Sequence, residues 1–204
     1  TLLASSAASD VYKRQIIGIA IAVLILGGVT IFGVTQYQKK KAAKEYAESV
    51  KTYSDNLELA TVTMLKGAGD AEDCGNLIKN VWYNAIYKEK DDETDKYTRL
   101  DGYFVSDFND ALGNLFVDSS FSSKIDSIDK NQDTVNSLMK KLKNPPEEYK
   151  DAYDALSDFY DAYLALTGCA TDPSGSLQTY SSTFNDADTD TLNSYKAMQQ
   201  YLGD

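Results

Sequence analysis

The chain has 204 residues, no histidine, two cysteines and a net charge of −11. The lack of histidine removes the usual zinc sites, Ser-His-Asp and Cys-His catalysis, and imidazole pH sensing. The acidity repels phosphate backbones and excludes nucleic acid as a partner.

Residues 1–15 read as foreign to the rest. Ser5 to Gln15, SSAASDVYKRQ, resembles the translation of a transposase adapter used in preparing DNA sequencing libraries. The expectation is that 1–15 is not native sequence and that the native N-terminal flank is missing. Without Asp10, Lys13 and Arg14 the net charge becomes −12.

The run Ile16–Thr35, IIGIAIAVLILGGVTIFGVT, carries no charge. Twenty residues at 1.5 Å each match the hydrocarbon thickness of a bilayer. The run shows no polar face, exceeds the usual secretory apolar region and ends without a small-x-small cleavage site. It predicts a transmembrane helix over 16–36. The next residues suit a membrane interface. Tyr37 belongs at headgroup level, and Lys39, Lys40, Lys41 and Lys44 can meet anionic lipid. From Glu45 onward the charge is −16, which suits solubility, cations or a basic partner.

No helix breaker follows the span. Tyr46, Val50, Tyr53, Leu57, Ala60 and Met64 recur at helical spacing. They predict a stalk helix over 37–66 that packs into the domain and ends at Gly67 and Gly69. An acidic helical bundle is expected over 67–204. Its first helix, Ala71 to Lys90, carries Cys74, Leu77, Ile78, Val81, Trp82, Ala85 and Ile86, with Trp82 as a core anchor. KEKDDETDK, from Lys88 to Lys96, has no apolar residue and reads as a loop. The next helix, Gly102 to Val117, rests on Phe104, Phe108, Ala111, Leu112, Leu115 and Phe116.

Asp118 to Ser120 offers the next N-cap. The helix after it, Ser120 to Lys143, carries Phe121, Ile125, Ile128, Val135, Leu138, Met139 and Leu142. Lys140, Lys141 and Lys143 suit the negative end of its dipole. Asn144, Pro145 and Pro146 break the chain, and Glu147 and Glu148 suit the first turn of the following helix. Tyr149, Ala152, Tyr153, Leu156, Phe159, Tyr160, Tyr163 and Leu166 form its apolar stripe. Gly168 to Gly175 is turn-rich. The last helix, Ser176 to Leu202, carries Leu177, Tyr180, Phe184, Ala187, Thr191, Tyr195, Met198 and Leu202. No alternating β-branched run occurs, so no sheet is expected. The predicted fold class is all-α. A single N-terminal transmembrane helix continues into an antiparallel bundle of about five helices.

Motifs are few. Asp129, Asn131 and Asp133 open like an EF-hand loop, but its sixth position is Thr134 and its twelfth Lys140. Asp186, Asp188 and Asp190 fail in the same way at Thr191 and Ala197. Fifteen tyrosines fit a core that uses Tyr in place of Leu, with hydroxyls at the rim. Glu147 and Asp151 share a helical face, as carboxylates in so acidic a domain do by chance. No phosphate loop or nucleophile elbow is present. Cys74 and Cys169 fit one disulfide in an oxidising compartment or two separate buried thiols; spacing leaves both open. No catalytic, cofactor or metal residues are assigned.

Lysines after a span favour a cytoplasmic domain, but the rule compares two flanks. A single N-terminal anchor and a domain rich in Asn, Ser, Thr and Tyr fit the outside. The expectation is a single-pass membrane protein with an extracytoplasmic C-terminal domain. Its expected role is non-enzymatic, binding or structural, at the cell envelope, with the bilayer and a protein or cell-wall component as partners. The alternative is a ligand-binding sensory ectodomain of a receptor whose N-terminal part is missing.

Overall fold

The computed structural model describes the backbone of residues 3–202 and the side chains of residues 36–202. The uncharged run on which the expected span rests, and the adapter-like segment before it, have side chains outside the described residues. Among the described residues no helix is long and apolar enough to cross a membrane. The chain divides into two compact units, Thr1–Lys51 and Thr52–Asp204.

The order of elements is α1 (Leu3–Tyr87), α2 (Asp95–Thr98), β1 (Arg99–Leu100), β2 (Tyr103–Phe104), α3 (Phe108–Val117), α4 (Ser119–Leu142), α5 (Lys150–Thr171) and α6 (Leu177–Met198). Short 3-10 turns precede α5 and follow α6. The all-α expectation holds for the bundle.

In the first unit, the described residues 36–51 are a helix with almost every side chain in water. Tyr46 is 54% exposed there, although its spacing had put it on the stalk's apolar face.

In the second unit, α1, α4, α5 and α6 enclose one core. The helical stripes do the enclosing. Tyr53, Leu57, Ala60, Met64, Ala71, Cys74, Ile78 and Val81 are buried from α1. Ile128, Val135 and Leu142 come from α4, Leu156, Phe159 and Tyr163 from α5, and Tyr180, Phe184 and Met198 from α6. Full burial of such side chains stabilises by roughly 1.5–3 kcal/mol each, so this apolar stack dominates the fold. Tyr53 adds a long-range tie by donating to the Leu142 carbonyl at 3.0 Å.

Three expectations are corrected. First, α1 does not end at Lys66. It runs through Gly67 and Gly69 to Tyr87, so the expected stalk helix and first bundle helix are one element. The glycines are not caps. A Cβ at Gly67 would lie 2.1 Å from Asn131 Oδ1, and one at Gly75 would lie 2.1 Å from the Phe184 ring. At both sites glycine permits close packing of a neighbouring helix against α1.

Second, the chain contains a small sheet. β1 and β2 pair antiparallel with Arg99 opposite Phe104 and Leu100 opposite Tyr103. Asp101 and Gly102 join them with φ of 51° and 87°. Positive φ at both positions is the twist-matched two-residue hairpin, for which Asp-Gly is a favoured pair. Two-residue strands are too short to show alternation, so only the turn signalled them.

Third, the charged loop after α1 runs from Lys88 only to Thr94, because Asp95 and Lys96 already belong to α2. Asn84 donates to Thr94 Oγ1 at 2.8 Å, and both residues are buried. Asp91 Oδ1 accepts from the backbone of Glu93 and Thr94, which starts α2. Arg99 holds the hairpin by donating to Asp95 Oδ2 and the Gly102 carbonyl, both at 2.6 Å.

The starts of α4 and α6 agree with the sequence, whereas the helix expected from Gly102 begins only at Phe108, capped by Asp107, because Phe104 belongs to β2. Asp118 caps α4 by accepting from the backbone N–H groups of Ser120 and Phe121 at 3.1 Å. Ser176 and Thr179 form a reciprocal capping box at the start of α6.

Candidate functional site

Four places on the described surface bear on function. The first is the lysine-rich segment of the first unit. Tyr37 is 70% exposed. Helical spacing puts Tyr37, Lys40, Lys41 and Lys44 on one side, where with Glu45 and Glu48 they line a shallow depression of about 470 Å³. Lys39 is exposed but lies on another side of the turn. Lys41 faces Glu45 and Lys44 faces Glu48 at 3.8 Å. Such exposed pairs are weak, so the ammonium groups can exchange these partners for others.

The second place lies where α5 turns into α6. Cys169, Asp172, Ser174, Gly175, Thr179 and Tyr180 line a hollow of about 370 Å³. Gly175 adopts φ of 91° there, the left-handed conformation that glycine takes at little cost. Tyr180 Oη donates to the Cys169 carbonyl at 3.2 Å and lies 3.4 Å from the Gly75 carbonyl. One tyrosine hydroxyl therefore bridges the backbones beside both cysteines. Both are free thiols. Burial pushes Cys74 up to about 11 and also raises Cys169. At neutral pH both are thiols rather than thiolates, and neither is an activated nucleophile. Burial, with lesser contributions from the two cysteines, raises Tyr180 as well.

The third place is a mixed-charge groove between α1, α2 and the start of α4. Leu77, Glu93, Lys96, Tyr97, Phe121 and Lys124 line it. Its two lysines are engaged by carboxylates beside it. Lys96 reaches Asp118 at 3.4 Å, and Lys124 reaches Asp73 at 4.0 Å. The Ser120 hydroxyl, the Phe121 N–H and Lys96 hold the Asp118 carboxyl down at about 2. Asp118 thus serves the α4 cap and remains ionised across the physiological range.

The fourth place is apolar and was not read from the sequence. Leu59, Val62 and Leu65 of α1 are 54%, 55% and 40% exposed, and Leu192 of α6 is 52% exposed. Leu65, Gly69, Leu192 and Tyr195 share a groove of about 120 Å³. The spacing of 59, 62 and 65 is itself helical. It was hidden because a second stripe, Leu57, Ala60 and Met64 on the core face, runs through the same segment.

The motif-like stretches sit inside helices. Asn131 of the EF-hand-like segment donates to the Thr63 carbonyl at 3.0 Å and accepts from Tyr163 Oη at 2.7 Å. It is a packing residue between α1, α4 and α5. Asp186, Asp188 and Asp190 lie within α6. Among the described residues no group of His, Cys, Asp or Glu is placed to hold a metal ion. Tyr163 of the α5 tyrosine stripe is fully buried, and Tyr160 donates to Asn136 Oδ1. Trp82 is buried between Phe108 and Tyr180, with ring centroids at 5.8 and 5.6 Å.

Comparison with family models, with curated proteins and with solved structures finds no match to this chain.

Proposed function

We propose that this chain is a membrane-anchored, non-enzymatic helical module with a binding or structural role at the cell envelope. One observation carries the reading. An uncharged run of bilayer length, residues 16–35, passes directly into an exposed Tyr- and Lys-bearing helical segment. That order is the one a span, an interfacial belt and a solvated domain require. The tightly packed acidic bundle supports a scaffold role. The two lysines of its charged groove are paired with Asp118 and Asp73 beside it, and its thiols are protonated at neutral pH.

The test is fractionation of the full chain expressed in cells. Retention in the membrane pellet through alkaline carbonate extraction is expected, with loss of retention when Leu24 and Leu26 are replaced by Arg. Protease added to intact cells should digest the C-terminal bundle if it lies outside. Release of the unsubstituted chain into the soluble fraction would refute the anchor.

A second reading, a ligand-binding sensory domain, is favoured by the hollow beside Tyr180. A small molecule that co-purifies with the chain and is lost in Tyr180→Phe would support it.

A further inference from the structure

We infer that Tyr37, Lys40, Lys41 and Lys44 form a seat for the headgroup of an anionic phospholipid. The inference rests on the anchored reading. It adds the class of lipid and the side of the helix that holds it.

Helical geometry sets the seat. At about 100° per residue, Lys40, Lys41 and Lys44 fall within about 60° of Tyr37, whereas Lys39 falls about 160° away. All five are exposed. The three lysines on the tyrosine's side line the depression, and Lys39 does not.

Exposed lysines are ordinary on a surface. These crowd together where no acid stands among them. Residues 36–44 read QYQKKKAAK. One turn before and after Lys40 stand Gln36 and Lys44, so Lys40 has no carboxylate at helical pairing distance. Lys40 and Lys44 are like charges four residues apart, a spacing that destabilises a helix. An anion seated between them removes that repulsion. The Lys41 and Lys44 pairs with Glu45 and Glu48 are long, at 3.8 Å, and exposed, so both ammoniums can turn to a nearer anion.

The order along the helix selects the ligand. With residues 16–35 in the hydrocarbon, a rise of 1.5 Å per residue puts Tyr37 about 3 Å beyond Thr35. Lys40 and Lys41 stand about 8–9 Å beyond it, and Glu45 and Glu48 about 15 and 20 Å. The headgroup layer on each side of a bilayer is about 5–8 Å thick. Tyr37 therefore lies inside it, with its hydroxyl among the lipid's polar oxygens. Lys40 and Lys41 stand at its outer edge, and their stems let the ammoniums reach the phosphate. Lys44 closes the seat from above, and the two glutamates lie outside the layer. At the depth of the headgroup the segment offers cations and no carboxylate, so a zwitterionic headgroup finds a partner for its phosphate and none for its ammonium. A headgroup with net negative charge has no such mismatch. The preference holds in whichever leaflet the segment sits.

The experiment uses the full chain carrying Tyr37→Trp, reconstituted into phosphatidylcholine vesicles that contain phosphatidylglycerol. Bromine on the acyl chains of one lipid or the other quenches a tryptophan beside it. Trp82 is buried in the bundle, and the chain with Tyr37 intact gives its constant background. At equal mole fraction, phosphatidylglycerol should be favoured beside residue 37 by about fivefold or more. Replacing Lys40, Lys41 and Lys44 together by Gln should bring the two lipids close to parity, and about 1 M salt should reduce the preference. Lys39→Gln should leave it within about twofold, as a lysine on the other side of the helix. Flotation of the same vesicles reports the anchor separately. Parity between the lipids in a chain that floats would overturn the inference and leave the anchor standing. A preference that survives the triple variant, or that Lys39→Gln alone abolishes, would also overturn it. A chain that floats with neither vesicle composition would refute the anchor and the inference with it.

Discussion

Two regions of the second unit are held by different forces. The helical core of α1, α4, α5 and α6 is joined by apolar burial, with the α1 glycines setting how closely helices approach. The insert from Lys88 to Asp107 buries only Thr94, Tyr97 and Thr98 among its residues. It is held by directed polar bonds, namely Asn84 to Thr94, Arg99 to Asp95 and Gly102, Asn114 to the Tyr97 carbonyl at 3.0 Å and Lys88 to the Val105 carbonyl at 2.6 Å. Burial is non-directional and adds over many side chains, so it tolerates exchange of one apolar group for another of like volume. A polar bond fails when either partner is lost, and leaves the other unsatisfied. The core should therefore respond to volume and the insert to chemistry.

The largest effect should come from the core. Phe159 of α5 is fully buried. Phe159→Ala should cost about 3–5 kcal/mol in urea unfolding, whereas Phe159→Leu should cost markedly less.

Next comes a contrast within α1. Gly75→Ala forces a Cβ into the buried Phe184 ring and should destabilise by about 1–3 kcal/mol. Gly69→Ala meets nothing within 4 Å and should stabilise by about 0.5–1 kcal/mol through helix propensity. Equal effects at the two positions would mean that α1 does not pack against α6 as described.

The insert is probed by Thr94→Val, which keeps volume and removes the hydroxyl. It should cost about 1–3 kcal/mol by stranding the buried Asn84 amide. A neutral result would show that burial rather than polar bonding holds this region.

The smallest effect is a pH dependence at the junction of the two regions, where Asp118 caps α4 and meets Lys96. Its carboxyl is held at about 2, below the unfolded value near ~4. The lowered group stabilises the fold above the unfolded value, and that contribution is lost as pH falls from about 4 toward 2. Asp118→Asn should flatten the stability profile in that window and leave its shape near neutrality unchanged. Thermal melts between those pH values provide the measurement.

Legibility in the sequence followed the same division. The stripes of α4, α5 and α6 were readable because burial imposes a 3.6-residue period on residue type. Asp118, Ser176 and Pro146 were readable as helix boundaries because capping and proline chemistry act within a few residues. The polar insert was not readable. Asn84 and Thr94 are ten positions apart and have no period, and the Asp101-Gly102 turn was its only local signal. Cys74 and Cys169 remained ambiguous because spacing does not report distance. The structure puts their backbones against one tyrosine hydroxyl with both thiols free.

The sequence by itself determined the helical class of the bundle, the starts of α4, α5 and α6, the acidic character of the domain and the uncharged run at its head. Each of these is a property of neighbouring residues. Only the tertiary structure decided that Gly67 and Gly75 are contact points rather than ends, because a helix can pass through glycine when packing against a neighbour outweighs propensity. It alone separated the two stripes of α1, burying Leu57, Ala60 and Met64 and leaving Leu59, Val62 and Leu65 in water. Both stripes have the same period. Which one faces the core depends on where the other helices lie.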